Sequence, residues 1–136
     1  MTTGNPTPST LHVCVFDDMR ELPEHMMTDT TVHCKTEEAF FDWLGSLGEI
    51  GDCPPVLAVL DHDLGGVAFG EETSRKGITA MVDLHMDGLI DVVTAYVVTM
   101  NPSGQDWIIR ELERGEIDYE IDVGGRLIGM KVPQGF

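Results

Sequence analysis

Val56 to Leu60 reads Val-Leu-Ala-Val-Leu, apolar at every position, and it runs straight into Asp61-His62-Asp63. A strand with no polar alternation is covered on both faces, which marks a parallel strand inside a layered α/β fold rather than a half-exposed antiparallel one. Two further runs share the form. Leu11 to Phe16 (LHVCVF) leads into Asp17-Asp18-Met19-Arg20, and the run within Asp91 to Val98 leads into Thr99-Met100-Asn101-Pro102-Ser103-Gly104. In an open parallel sheet, residues just past the carboxyl ends of neighbouring strands converge on one crevice, and ligands bind there. Acids behind two strands, with a hydroxyl and an amide behind a third, point to a divalent metal and a phosphate.

The segments between these runs supply helices. Thr31 to Cys34 reads as a short second strand. Thr36 is placed to cap a helix, with Glu37 and Glu38 in its first turn, where the helix dipole favours acids. Ala39, Phe40, Trp43, Leu44 and Leu47 then fall on one apolar face, and Gly48 and Gly51 are expected to end it. A second helix is expected from Arg75 or Lys76 to Gly88, with Ile78, Met81, Val82 and Leu84 inward. A third is expected over Gln105 to Arg114, after an Asn101-Pro102 turn, with Trp107, Ile108 and Leu112 inward. Strands alternating with helices predict an α/β sandwich with a mainly parallel sheet. The tail departs from that pattern. Tyr119, Ile121 and Val123 alternate with acids, then Gly124-Gly125 precedes Arg126-Leu127-Ile128, which predicts a C-terminal β-hairpin adding an antiparallel edge. Residues 1–10 are polar without a basic start and read as a flexible lead, and residues 11–136 as a single domain.

Charge narrows the partners. With 24 acids against 8 bases, the net charge of −16 opposes binding to a nucleic-acid duplex and to an anionic membrane surface. No apolar stretch approaches the roughly 20 residues that span a bilayer. A small phosphate-containing ligand remains compatible where a local cation gathers it, and so does a basic protein partner. Cys14, Cys34 and Cys53 are odd in number and widely spaced, which shows no disulfide framework and no zinc pattern. They read as free thiols in a reducing, cytoplasmic setting.

The polar clusters suggest roles. Asp17, Asp18 and Asp61 form a carboxylate set suited to Mg²⁺, which takes a few carboxylates and fills its shell with water and phosphate oxygens. The plainer alternative for Asp17-Asp18 is a solvated loop making an Asx-turn. Asp61 and Asp63 are candidates to orient a water or attack phosphorus, and His62 between them to move protons near neutral pH. Arg20 is a candidate phosphate ligand, because a guanidinium grips two oxygens at once; the alternative is a salt bridge to Asp17 or Asp63. Thr99 and Asn101 offer a hydroxyl and an amide to an anion. Gly104 would let the backbone approach it at a helix start; the alternative is a capped turn. Trp43 and Trp107 read as core.

In this order the clusters resemble the receiver-like fold, and more specifically the cyclic-phosphate processing receiver domain family. The matching pieces are Phe16-Asp17-Asp18-Met19-Arg20 with Pro23, Leu60-Asp61-His62-Asp63-Leu64-Gly65, and Thr99-Met100-Asn101-Pro102-Ser103-Gly104. The resemblance implies a three-layer, flavodoxin-like sheet and a role on nucleotide- or RNA-derived cyclic phosphates. It also places Asp61 where a receiver's phosphoacceptor stands. The chain departs from the family at Val98, where a histidine is common, and Lys131 is followed by Val132 before Pro133, unlike the setting of a receiver's lysine.

Three functions are compatible with these residues. One is a metal-assisted phosphoesterase that opens a cyclic phosphate. The second is a phosphoacceptor receiver using Asp61. The third is a non-catalytic module that senses a nucleotide or binds a protein, which Val98 favours.

Overall fold

The computed structural model describes residues 10–17, 30–64, 73–99 and 101–121. Five strands, β1 (His12–Phe16), β2 (Thr31–Cys34), β3 (Pro55–Leu60), β4 (Asp91–Val97) and β5 (Tyr119–Ile121), form one sheet in the order β2-β1-β3-β4-β5. Every pairing is parallel. Three helices connect them: α1 (Glu37–Ile50), α2 (Arg75–Met86) and α3 (Pro102–Arg114). This is the receiver-like, flavodoxin-like α/β arrangement.

The apolar runs explain the layering. Residues of β3 are buried throughout, as a strand without alternation requires. One face of the sheet, with Cys14, Phe16, Val56, Ala58, Leu60, Ala95 and Val97, packs against Phe40 and Leu47 of α1, Ile78 and Met81 of α2, and Ile108 and Leu112 of α3. Phe16 and Phe40 stack with ring centroids 4.1 Å apart. The other face carries a smaller cluster of Leu11, Val13, Val15, Leu57, Val59, Tyr96 and Val98. All three helices described lie on the first face; the helical cover expected on the second is not among the described residues.

Several boundaries differ from the sequence reading. Helix α1 runs through Gly48 and stops at Gly51, whose φ of 75° and lack of Cβ let the chain leave the helix. Helix α3 begins at Pro102, not Gln105. Proline is well suited to the first helical turn, and Asn101 caps it by accepting the Gly104 N–H. Strand β1 starts at His12, β3 includes Pro55, and β4 ends at Val97. In the tail, Tyr119–Ile121 pairs parallel to β4, with Ala95 opposite Tyr119, and is a fifth parallel strand. Alternation showed a half-exposed strand but carried no direction. The Gly124-Gly125 turn and the second hairpin arm lie outside the described residues. Among those described, no helix is long and apolar enough to cross a membrane.

Candidate functional site at the carboxyl ends of the strands

The strand order reverses between β1 and β3, and in open parallel sheets the carboxyl ends at such a reversal are where ligands bind. Phe16 is paired with Leu60, so Asp17 and Asp61 follow at neighbouring positions across the sheet, and the Asp61 N–H donates to the Phe16 carbonyl at 3.1 Å. Both aspartates are buried, Asp17 at 0% exposure and Asp61 at 8%. The Asp17 carbonyl accepts a hydrogen bond from His33 Nε2 at 2.6 Å, and Asp61 Oδ1 accepts the His62 N–H at 2.8 Å. Thr99, past the end of β4, is also buried, and its hydroxyl oxygen accepts the Asn101 N–H at 3.2 Å.

His62 is the hub beside them. An arginine Nε–H can only donate, so the 2.8 Å contact from Arg75 Nε makes His62 Nε2 an acceptor. Nδ1 then carries the ring proton and donates to Asp63 Oδ1 at 2.8 Å. Asp63 also accepts from Asn101 Nδ2, at 3.1 Å to Oδ2. Desolvation pushes the Asp63 carboxyl up, but the hydrogen bonds from His62 and Asn101 and the positive charge of Arg75 outweigh it, so its pKa lies below the usual carboxylate value. Trp107 of α3 completes the cluster. Its ring lies edge-on to His62, with centroids 6.4 Å apart, and Arg75 Cζ sits 5.0 Å over it.

Local sequence explains how the loop is held. Ser74 precedes α2, yet its hydroxyl does not cap the helix. It donates to the Asp61 carbonyl instead, while its backbone N–H donates to the His62 carbonyl at 2.9 Å. Asp63 and Thr73 form an isolated antiparallel bridge. The start of α2 is thus tied to the residues that follow β3.

The structure brings together Asp61, His62, Asp63, Thr99, Asn101 and Gly104, with Asp17 beside Asp61. Asp18, Arg20 and Lys131 lie outside the described residues. Among the described residues, no three His, Cys, Asp or Glu side chains converge as a metal-holding group. The donor chemistry of Asp17 and Asp61 still suits Mg²⁺, which is commonly held by one or two carboxylates plus waters and phosphate oxygens. Asn101 uses its amide oxygen as the α3 cap and its amide nitrogen on Asp63, and what approaches Gly104 closely is the His62 ring.

Trp107 packs against the core as expected, but sequence reasoning missed its contacts with His62 and Arg75, and it missed Arg75 and Ser74 themselves. One signal for Arg75 was available. It opens α2 with Lys76 beside it and no acid in the first turn, against the preference set by the helix dipole. Residues that break a local rule concentrate at functional sites. Val98, by contrast, belongs to the smaller apolar cluster on the face opposite the three helices.

The strand order and the polar residues gathered at the strand ends define a receiver-like α/β domain. The family model of the cyclic-phosphate processing receiver domain matches residues 13–114, and the chain belongs to that family. It is a receiver domain associated with cyclic-phosphate processing. No curated protein and no solved structure gives a significant match to the chain.

Proposed function

We propose that this domain is a metal-assisted phosphoesterase that opens a nucleotide- or RNA-derived cyclic phosphate. The observation that carries the reading is the pair of buried carboxylates, Asp17 and Asp61, side by side where the strand order reverses. With Asp18, they would hold a divalent cation such as Mg²⁺. When bound, the ion supplies positive charge to a phosphate oxygen and makes a water more acidic.

The chain's own residues supply the rest. Thr99 and Arg20 bind the phosphate, while Asn101 and Gly104 act through the turn they cap and the room they leave for His62. Water adds to phosphorus, one ring P–O bond breaks, and the proton lost by water passes to the departing ring oxygen, giving an open monoester. Asp63 orients the His62 ring through Nδ1, so Nε2 is the atom assigned to that proton, and turnover requires its contact with Arg75 to open. The free thiols Cys14, Cys34 and Cys53 support a reducing, cytoplasmic setting for this chemistry.

A second reading is favoured by one observation: both ring nitrogens of His62 are engaged. In that reading the domain binds a cyclic phosphate and leaves it intact. Cyclic nucleoside monophosphates with five- and six-membered phosphate rings, incubated with the protein and Mg²⁺, separate the two. Phosphoesterase activity gives a monoester, lost with chelator and in Asp61→Asn. Binding without product supports the second reading, and absence of both overturns the proposal.

A further inference from the structure

We propose that Arg75 is a phosphate ligand of this site, held ready for the anion by His62 and Trp107. The inference deepens the cyclic-phosphate reading and rests on it, in either of its two forms. Two contacts fix the guanidinium. Its Nε–H donates to His62 Nε2 at 2.8 Å, and its Cζ lies 5.0 Å over the Trp107 ring. Those contacts use one edge and one face of the group. Nη1 and Nη2 make no hydrogen bond or ion pair with any described residue, and Arg75 is exposed.

Arg114 shows the contrasting case. Its guanidinium is neutralised by Asp83 at 3.0 Å and Glu111 at 2.8 Å, as expected for a surface arginine in a chain with a threefold excess of acids. Arg75 has no such carboxylate partner among the described residues. The carboxylate nearest in its network, Asp63, spends its oxygens on His62 Nδ1 and Asn101 Nδ2. A net charge of −16 repels anions in general, so a positioned cation near the strand ends, without a carboxylate partner among the described residues, is what lets one approach. The ligand class follows from the geometry of the fork. A phosphodiester presents two non-bridging oxygens, and a guanidinium with two open nitrogens grips such a pair in one plane. Ordering by His62 and Trp107 removes part of the rotamer entropy that a free arginine loses on binding.

Calorimetry on the full chain tests this, with a cyclic nucleoside monophosphate and inorganic phosphate titrated separately into wild type, Arg75→Ala, Arg75→Lys and Trp107→Leu. Arg75→Ala should weaken both ligands by about tenfold or more, since hydrogen bonds to charged groups are the strong class. Arg75→Lys should recover only part, because it keeps charge and loses the fork. Trp107→Leu should fall between wild type and Arg75→Ala, with an unchanged fold by circular dichroism. Wild-type binding that survives Arg75→Ala overturns the role of Arg75 and leaves the cyclic-phosphate reading standing. Arg75-dependent binding of inorganic phosphate without any binding of cyclic phosphate supports Arg75 and overturns that reading. Binding of neither ligand by wild type overturns both.

Discussion

Gly104 leaves the space that the His62 ring fills: a Cβ at residue 104 would stand 2.4 Å from His62 Cγ and 2.8 Å from Nδ1. Real Cβ atoms do not approach so closely, and the ring has little room to retreat, because Asp63 and Arg75 hold both of its nitrogens. The start of α3 and the residues after β3 are therefore fitted to each other. Gly104→Ala should displace the ring and destabilise the fold by about 1–3 kcal/mol, the usual range for overpacking. Urea denaturation measures it, and a midpoint equal to wild type would show that the two elements are not so closely packed.

Ser74→Ala removes a buried hydroxyl that donates to the Asp61 carbonyl. The loss should be about 1 kcal/mol, typical of one hydrogen bond. The more telling readout is hydrogen exchange. The His62 and Ser74 amides should exchange faster, while those in the middle of β3 stay protected. Uniform behaviour across these amides would mean that Ser74 does not tie α2 to the site.

The pKa of Asp63 lies below its usual value in the folded chain, so its ionised form stabilises the fold above the unfolded pKa, and that contribution fades as pH falls through the folded value. The melting temperature of wild type should exceed that of Asp63→Asn at neutral pH, and the gap should close below about pH 4. Asp63 is half exposed, so added salt should narrow the gap at neutral pH. A gap that widens towards acid would contradict the bonding described for this carboxylate.

The proposed Mg²⁺ site has a thermal signature. A ligand that binds only the folded state raises stability in proportion to the logarithm of its concentration above Kd. Millimolar Mg²⁺ should raise the melting temperature, and Asp17→Asn and Asp61→Asn should each reduce the gain. In Asp61→Asn an amide oxygen can still accept the His62 N–H, so loss of the metal response with a near-normal fold would isolate the charge. A wild type indifferent to Mg²⁺, Mn²⁺ and Ca²⁺ alike would remove the metal from the proposal.

The parallel sheet was legible in the chain because burial on both faces leaves its mark on every position of a strand, as it does over Val56 to Leu60. The grouping of Asp61, His62, Asp63, Thr99 and Asn101 followed from the same fact, since parallel neighbours end at one rim. Direction was not legible for Tyr119–Ile121. An alternating run reads the same whichever way its partner points, and only packing against β4 made it parallel. The start of α3 was misplaced because Asn101-Pro102 is equally a turn and a cap followed by a first helical residue, and the difference is one hydrogen bond from Gly104.

The α/β class, the rim on which the polar residues gather and the family's ordered motifs are written in the chain, because they depend on local periodicity and on residues adjacent to strand ends. What His62 does at that rim is set by packing between distant segments. Its neighbours Arg75, Trp107 and Gly104 lie 13, 45 and 42 residues away in the chain, so no local pattern records their contacts. The tautomer of the ring, the depressed pKa of Asp63 and the open edge of Arg75 all arise from helices α2 and α3 converging on one loop. Hydrogen-bond direction and close packing are properties of that convergence rather than of any segment taken alone.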